Sequence, residues 1–372
     1  MNIAINCRNL IKGKLEGFGN YSIELIRRIC INNPEYTFLL IFDRPFDPSF
    51  VFSENCMPIV VPPPTRHPFL NILWARFSLP RILLKYKVDL FWSPDGLCAL
   101  NTKTPQVITI HDINFEHNPK DSPRLVSWYY RKFYPLFAKS AQHILTVSAY
   151  SKQDLSKTYN IENNKITVVH NGVSDLFQPI SEGKRLDCQA KYTGEKKYFV
   201  FVGSIHPRKN VERLILAFEK FFNKNRDFKL LIVGSNMWSN KKLNIPISID
   251  EEVIFTGHVE LQELTEIMAS AYAFIYPPYF EGFGMPLIEA MKSGTPVLSS
   301  NKTCLPEVAG DAALFFDPFN IDDLLEKMET ITGDESVRKA LIEKGFEMSK
   351  NFSWDESALN TWQILEKFIK AP

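Results

Sequence analysis

The feature that most constrains the fold of this 372-residue chain is a regular alternation of short apolar runs with amphipathic stretches. In the first half, the apolar runs predict strands over 2–6, 36–42, 57–61, 89–92, 106–110, 142–147 and 165–169. The second half restarts the pattern with strands over 197–203, 228–234, 253–257, 272–277, 295–300 and 312–318. Continuous apolar runs are typical of strands covered on both faces, and their alternation with helices predicts parallel sheets in an α/β fold.

The amphipathic stretches between these runs predict the helices. They lie over 19–33, 70–86, 122–140, 148–159, 210–224, 261–270, 286–293, 321–332, 335–350 and 354–369. A polar stretch at 177–197 is the best candidate for a linker between two doubly wound domains. We therefore expect a first domain over 1–180, a second over 181–353, and a C-terminal helix in 354–372 that packs back on the first domain.

Composition and charge exclude several classes of function. Hydrophobic residues make up 45% of the chain, and the formal net charge is +1, so no overall field favours nucleic acid as a partner. The six cysteines form no C-x-x-C pair, which argues against a zinc site. The sequence has neither a signal peptide nor an apolar run of membrane-spanning length, so we expect a cytoplasmic protein with reduced thiols.

Ligands of doubly wound sheets bind beyond the carboxyl ends of the strands, where this chain has the loop "EGFGMPLIEA" (281–290). Gly282 and Gly284 let the backbone approach a ligand, and the helix that follows presents N–H groups to an anion. Glu281 and Glu289 would repel a bare phosphate but can accept hydrogen bonds from hydroxyls, so a ligand with both phosphate and sugar hydroxyls fits. The alternative is a structural turn with a solvated Glu289.

A second candidate loop is "FVGSIHPRKN" (201–210), which follows another predicted strand. Arg208 and Lys209 stand just before a helix for which Asn210 is a suitable N-cap. Two cations and the N–H groups of a helix start are suited to a diphosphate. A basic turn in solvent is the alternative reading.

The first domain offers two further candidates. His111 follows a buried strand in "VITIHDINFEH", where it can hydrogen-bond a sugar hydroxyl, stabilise developing charge, or merely cap the backbone. Gly17 and Gly19 precede a helix in "LEGFGNYSIEL", but Ser22 stands where a dinucleotide fingerprint has its last glycine. NAD binding, and with it a Rossmann oxidoreductase, is therefore disfavoured.

Other signatures are missing from the sequence. It has no P-loop, no H-E-x-x-H, no G-x-S-x-G and no D-x-D, the last of which would favour a nucleotide held through a metal. We therefore expect no cofactor and no metal requirement.

Taken together, these stretches resemble the retaining glycosyltransferases of family 4, which have the GT-B fold. The resemblance covers nearly the whole chain, and its motifs occur in the family's order. They are "EGFGNYSIELI", "TIHDINF", "ILTVSAYSK", "ITVVHNGV", "FVGSIHPRKNVERLILAF", "FTGHVE", "YPPYFEGFGMPLIEAMKSGTPVLSS" and "LPEVAGDAALFFDP". The most specific is E-x7-E, here Glu281 and Glu289. The resemblance implies a nucleotide-sugar domain in the second half, an acceptor domain in the first, and a cleft between them.

The resemblance also implies a role for each matched residue. Glu289 would hold the ribose hydroxyls of the donor, and Glu281 would contact hydroxyls of its sugar. Arg208 and Lys209 would neutralise the diphosphate, and His111 would contact the sugar near its reacting carbon. Glu281, Arg208, Lys209 and His111 are thus the implied catalytic set.

A further set of residues would line the donor site or the cleft, mainly through the backbone. It comprises Gly17, Gly19, Gly203, Ser204, Gly257, Val259, Phe283, Gly284, Met285 and Pro286. Ser204 departs from the family, because many members have arginine there. This departure leaves the division of phosphate contacts open, and Arg208 is the candidate to compensate.

The variants of these motifs look most like those of surface-polysaccharide mannosyltransferases that use GDP-mannose. The implied acceptor is a lipid-linked oligosaccharide, such as a growing O-antigen. Basic and aromatic residues in 65–87 and 122–140 suit peripheral docking on the inner face of the plasma membrane, unless their apolar members face the core. UDP- or dTDP-sugar donors, a synthase with a soluble acceptor, and a non-catalytic nucleotide-sugar-binding protein are the alternatives.

Overall fold

A computed structural model describes residues 1–13, 15, 17–235 and 245–369 of the chain. The chain divides into two compact units. Unit 1 comprises Met1–Gly172 and the segment from Ser353 onward, and unit 2 comprises Val173–Phe352. Each unit is built around its own parallel sheet, as the alternating pattern predicts.

The sheet of unit 1 has seven parallel strands in the order β3-β2-β1-β4-β5-β6-β7. They are β1 (Asn2–Asn6), β2 (Thr37–Phe42), β3 (Cys56–Val60), β4 (Leu90–Ser93), β5 (Gln106–Thr109), β6 (His143–Thr146) and β7 (Ile166–Val168). The order reverses between β1 and β4, which is where a doubly wound sheet opens its ligand edge. The central strands are buried throughout, as their apolar sequences predict.

Helices cover both faces of this sheet. They are α1 (Gly17–Asn32), α2 (Pro68–Leu73), α3 (Leu79–Lys85), α4 (Asn114–His117), α5 (Arg124–Ser140) and α6 (Ala149–Tyr159). The sequence predicts one continuous helix over 70–86, whereas the structure inserts a π-helical segment, Trp74–Ser78, between α2 and α3. Pro80 explains the difference, because it has no N–H to continue the α-helical ladder.

The sheet of unit 2 has six parallel strands in the order β10-β9-β8-β11-β12-β13. They are β8 (Lys197–Val202), β9 (Phe228–Val233), β10 (Val253–Gly257), β11 (Ala273–Tyr276), β12 (Val297–Ser300) and β13 (Ala313–Phe316). Its helices are α7 (Glu182–Thr193), α8 (Val211–Phe222), α9 (Leu261–Ser270), α10 (Met285–Lys292), α11 (Leu305–Ala309), α12 (Ile321–Gly333) and α13 (Glu335–Ser349). The chain again reverses its order, here between β8 and β11.

The prediction of a linker over 177–197 is wrong in its secondary structure, because α7 occupies most of that stretch. Ser181 caps the start of α7 by accepting a hydrogen bond from the Lys184 N–H, and Gly194 ends it in the left-handed conformation. Only Cys188 and Thr193 of this helix are buried. So narrow an apolar stripe explains why the sequence does not signal a helix.

A final helix, α14 (Trp354–Glu366), belongs to unit 1 and packs against α1. Trp354 and Trp362 are buried, and the ring of Trp362 lies 4.9 Å from that of Tyr36. Gly172 permits this packing, since a Cβ there would lie 2.1 Å from the backbone nitrogen of Trp354. Two parts of the chain that are far apart in sequence therefore meet at a glycine.

We expect Gly172→Ala to destabilise unit 1. The clash is with backbone atoms that cannot rotate away, and overpacking of this kind costs about 1–3 kcal/mol. The midpoint of thermal unfolding should fall by several degrees, at roughly 2–4 °C per kcal/mol for a unit of this size.

The matched control is Gly183→Ala, on the exposed side of α7 with open space around it. Alanine favours a helix over glycine by about 1 kcal/mol, so this midpoint should stay or rise. A Gly172→Ala protein as stable as the wild type would contradict the role of this contact.

Candidate active site

Three glycines lie at the carboxyl ends of adjacent strands in unit 2. Gly203 follows β8, Gly234 follows β9, and Gly257 ends β10, with φ angles of 148°, 138° and 70°. A Cβ on Gly234 would lie 2.2 Å from the carbonyl oxygen of Gly203, so the two strand ends approach each other through glycine alone. Gly234 is not among the residues predicted from the sequence, although three apolar strands that each end in glycine are a signal for it.

The turn that carries Arg208 and Lys209 is anchored to neighbouring strand ends. It begins after His206, whose Nδ1 accepts a hydrogen bond from the Arg208 N–H. Asn210 adopts the left-handed conformation, with φ 60°, and α8 begins directly after it. Asn210 stands at the predicted N-cap position of α8 but makes no side-chain cap bond, because its Oδ1 accepts from Nη1 of Arg213 at 2.8 Å. Its Nδ2 donates to the carbonyl oxygens of Pro277 (3.1 Å) and Pro318 (2.7 Å).

Lys209 lies in a buried, charged cluster rather than in a solvated turn. Its ammonium nitrogen is 2.6 Å from Oε1 of Glu281 and 2.6 Å from the hydroxyl oxygen of Tyr276. The side chains of Lys209 and Glu281 are 10% and 8% exposed. Nη1 of Arg208 lies 3.7 Å from Oε2 of the same carboxylate. The structure thus brings three of the predicted residues together at one strand edge.

Tyr276 is a site residue that the sequence analysis missed. It ends β11, is fully buried, and places its ring 4.9 Å below the Lys209 ammonium as well as its hydroxyl beside it. Burial, and then the negative charge of Glu281, raise the pKa of Tyr276 well above its ordinary value. The hydroxyl therefore stays protonated. A tyrosine that ends an apolar strand reads as core, so sequence alone offered no signal for this contact.

The glycine loop before α10 holds Glu281 through its backbone. The Glu281 N–H donates to Oγ1 of Thr303, and the thiol of Cys304 donates to the Glu281 carbonyl oxygen at 3.2 Å. Gly284 has φ 93°, and a Cβ there would lie 2.7 Å from Leu305. The Phe283 ring is buried, so only its backbone is placed to meet a ligand.

Glu289 lies in the second turn of α10, eight residues after Glu281. It is half-buried, and burial raises its pKa to about 7. Met285 and Pro286 form the first turn of the helix and are half-buried at the same edge. A carboxyl group with this pKa changes charge near neutral pH, which makes the electrostatics of the site sensitive to pH.

The remaining predicted residues of unit 2 lie at the ends of β8 and β10. Ser204 and Val259 are half-buried, in the loops that follow Gly203 and Gly257. The Ile205 N–H donates to the carbonyl oxygen of Ser235 at 3.0 Å, which ties the loop after β8 to the end of β9.

His111 lies just after β5 in unit 1, where its ring is fixed by its neighbours. Its Nε2 is 2.9 Å from the carbonyl oxygen of Pro94, and its ring meets Phe18 and Tyr21 edge-on at 4.7 and 4.5 Å. Burial lowers the pKa of His111, so the imidazole is neutral at pH 7. A carbonyl oxygen can only accept, so Nε2 carries the hydrogen and Nδ1 is the acceptor. His111 thus bonds the backbone through Nε2, as the capping alternative expects, while Nδ1 remains as an acceptor that this bond does not use.

Gly17 and Gly19 lie within the first turn of α1, which begins two residues earlier than predicted. A Cβ on Gly17 would meet open space, whereas one on Gly19 would lie 3.0 Å from Leu15. Glu16, the first residue of this "EGFG", lies outside the described residues.

A buried polar cluster at the ends of β1 and β4 also escaped the sequence analysis. Nε of Arg8 is 2.5 Å from Oδ2 of Asp95, whose Oδ1 accepts a hydrogen bond from Asn6 at 2.8 Å. Burial alone would lower the pKa of Arg8, but the charge of Asp95 raises it above its ordinary value. This cluster fixes the strand ends on which the first loops of unit 1 begin. Nothing in the local sequence pairs Arg8 with a residue so far along the chain.

Across the ranges that the structure describes, no three or more His, Cys, Asp or Glu side chains lie together as metal ligands would.

Two family models match the chain, one in each half. Residues 17–175 match the model described as Glycosyltransferase Family 4, and residues 187–348 match Glycosyl transferases group 1. The O-antigen chain mannosyltransferase RfbU of Salmonella typhimurium is 33% identical over 260 residues, which are 68% of this chain and 67% of that protein. This chain belongs to glycosyltransferase family 4.

The glycosyltransferase is similar to two further proteins over almost its full length. O-antigen chain mannosyltransferase B of Escherichia coli is 29% identical over 378 residues, covering 95% of this chain and 98% of that one. The structure of Anabaena Alr3699/HepE in complex with UDP-glucose superposes with a TM-score of 0.76 at 15% identity, covering 99% of this chain and 100% of that one. The two-sheet architecture is that of GT-B glycosyltransferases, as the resemblance implied.

The raised pKa of Glu289 predicts that stability depends on pH. The unfolded carboxyl has a pKa near 4.5, so between about pH 4.5 and 7 the folded state retains a proton that the unfolded state releases. The free energy of unfolding should therefore fall as pH rises through this window, up to the folded pKa. Glu289→Gln keeps the neutral form, so we expect the variant to match the wild type at pH 5 and exceed its thermal midpoint at pH 8.

The matched control is Glu343→Gln, at an exposed position on α13. It should follow the wild type at both pH values. Equal behaviour of the Glu289→Gln and wild-type proteins at pH 8 would show that burial of this carboxyl has no energetic consequence.

Proposed function

We propose that this glycosyltransferase transfers mannose from GDP-mannose, with retention of configuration, to a hydroxyl of a lipid-linked glycan such as a growing O-antigen. The observation that carries the proposal is the buried cluster of Lys209, Glu281 and Tyr276 at the strand edge of unit 2, beside Arg208. Cations and carboxylates held side by side suit a ligand that carries both a diphosphate and sugar hydroxyls. The names of the two O-antigen mannosyltransferase relatives support mannose as the sugar.

The proposed donor contacts follow from the chemistry of each group. Glu289 accepts hydrogen bonds from the ribose hydroxyls, and Glu281 accepts them from the sugar. Lys209 and Arg208 stabilise the charge that develops on the departing diphosphate. Because two fixed cations serve this purpose, the proposed reaction needs no metal. Glu281 and Tyr276 hold the Lys209 ammonium in place before the donor arrives, which avoids reorganisation during the reaction.

The proposed role of His111 follows from its tautomer. Neutral His111 donates through Nε2 to the Pro94 carbonyl oxygen and offers Nδ1 as an acceptor. It therefore accepts a hydrogen bond from a sugar hydroxyl or stabilises positive charge developing on the sugar ring, and does not act as an acid. In a retaining transfer, the departing phosphate is then the base for the acceptor hydroxyl.

The donor proposal is tested by binding and by transfer. We expect GDP to raise the thermal midpoint more than UDP, dTDP, ADP or NAD, with or without magnesium, since a ligand at 100 times its Kd adds about 2.7 kcal/mol. With GDP-mannose, Lys209→Ala should lower kcat by about 10²–10³-fold, the usual loss for a donor aimed at developing charge. Tyr276→Phe should lower it by a smaller factor, because the lysine remains.

Lys224→Ala is the matched control, since Lys224 pairs with Glu329 at 2.8 Å on the surface of unit 2. It should leave both binding and transfer unchanged. A selective shift with UDP or dTDP would exclude GDP-mannose but keep the class of enzyme. A shift with NAD alone would contradict the transferase proposal.

We further propose that unit 1 docks on an anionic membrane surface. Phe69, Leu73 and Phe77 recur every four residues along α2 and the π segment and are 53%, 47% and 46% exposed. Leu125 and Trp128 of α5 are 39% and 41% exposed. The rings of Phe69 and Trp128 lie 6.1 Å apart, so the two helices present one apolar face.

The segments that carry this apolar face also carry exposed basic residues, which suits the headgroup region of a membrane. They are Arg66, Arg76, Arg81, Arg124 and Lys132. The alternative is that the apolar residues of these stretches face the core. Trp74, Phe137 and other apolar residues of the same stretches do so, but the residues of the apolar face do not. Within the described part of the chain, no helix is long and apolar enough to cross a bilayer.

We expect the protein to float with phosphatidylglycerol vesicles at low salt and less at high salt, because screening weakens the basic contribution. The double variant Phe69→Ser/Trp128→Ser should lose most of this binding. Leu186→Ser/Leu359→Ser removes two apolar side chains elsewhere that are at least as exposed and should float like the wild type. Failure of the wild type to float at low salt would contradict the proposal.

A further inference from the structure

Unit 1 contains a cavity of about 640 Å³ beside the N-terminal half of α5. Its lining includes four cations, one carboxylate and an indole ring. They are Lys120, Arg124, Arg131, Lys132, Glu116 and Trp128. The whole chain has a formal charge of only +1, so this concentration of positive charge is local. We refer to it as the basic cavity.

The one carboxylate of the basic cavity is already compensated. Oε2 of Glu116 lies 3.3 Å from Nε of Arg131, and Oε1 accepts a hydrogen bond from the Tyr159 hydroxyl at 3.1 Å. The nearby carboxylate of Asp121 is buried and accepts a hydrogen bond from the Asn114 amide at 3.3 Å. The amide does not neutralise Asp121, so the four cations of the cavity exceed the two local carboxylates by two charges.

The basic cavity lies between two features already described. The first feature is His111, which follows β5 at the carboxyl edge of the sheet. Glu116 lies five residues after His111, on the short helix α4. Trp128 lines the cavity and also belongs to the apolar face. The ammonium of Lys132 lies 5.4 Å over the Trp128 ring, which joins the charged and apolar surfaces. A ligand in this cavity can therefore place an anionic group against the cations and a hydrocarbon chain against Trp128 and the apolar face.

We propose that the basic cavity binds the diphosphate group of a lipid diphosphate, the group that joins lipid to glycan in the acceptor. This inference rests on the proposed function for its account of the acceptor, and it adds the place where that acceptor is held. An excess of two positive charges matches the two negative charges of a diphosphate diester better than the single charge of a phospholipid phosphodiester. The lipid then extends over Trp128 toward the apolar face, and the glycan lies on the side of His111.

Binding of farnesyl diphosphate, a lipid diphosphate that stays in solution, tests the proposal by calorimetry. We expect the wild type to bind it at least 10-fold more tightly than farnesyl monophosphate. The double variant Arg124→Ala/Lys132→Ala should weaken its binding at least 10-fold, because both side chains contribute charge to the cavity. Both positions are exposed, so the substitutions leave the core of unit 1 intact.

The control Lys103→Ala/Lys157→Ala removes the same charge from exposed positions of unit 1 that do not line the cavity, and should bind as the wild type does. GDP binding by unit 2 should be equal in all three proteins, which separates failure of this proposal from failure of the donor assignment. Equal affinity of the cavity variant and the wild type would overturn the proposal. Displacement of farnesyl diphosphate by phosphatidylglycerol vesicles, with no preference for the diphosphate, would assign the cavity to phospholipid headgroups and also overturn it.

Discussion

Parallel strand pairing is the constraint on which the rest of this structure depends. Both sheets are entirely parallel, so every strand of a unit ends at the same edge and every connection must cross a face of the sheet. That requirement explains why the strands are mainly apolar and why polar side chains collect at the strand ends. In unit 2 the edge brings together Lys209, Glu281 and Tyr276. In unit 1 it brings together Asn6, Arg8 and Asp95. Each set comes from two separate segments of the chain.

The pair of Lys209 and Glu281 illustrates what such an edge can hold. Removing two charges from water costs several kcal/mol for each ion, and a mutual distance of 2.6 Å with a further bond to Tyr276 only partly offsets that cost. An apolar pair of similar volume would stabilise the fold at least as well. Retention of this arrangement at a strand edge is therefore better explained by chemistry at the site than by stability.

The sequence predicts the fold well because the apolar runs alone determine it: each of the thirteen predicted strands overlaps one strand of the structure. It fails where the deciding contact is remote or the local signal is weak. Helix α7 has too narrow an apolar stripe, Tyr276 resembles a core residue, and Arg8 finds Asp95 across the sheet. Asn210 has the right residue type for an N-cap and stands at that position, yet its Oδ1 accepts from Nη1 of Arg213 instead of from the helix backbone. Local sequence indicates which residues can cap a helix or contribute to a site, but tertiary contacts determine which partners they bind.

The two units place their positive charge in opposite ways, and this difference has a physical consequence. In unit 2, Lys209 is buried against a carboxylate, where salt screens the interaction weakly. In unit 1, Arg124 and Lys132 are exposed around an apolar face, where attraction to anions acts at longer range and is weakened by salt. A net charge of +1 conceals both arrangements. Higher ionic strength should therefore weaken the proposed encounter with a membrane and its lipid-linked acceptor. It should leave the proposed stabilisation of the departing diphosphate nearly unchanged, because only the exposed charges face bulk solvent.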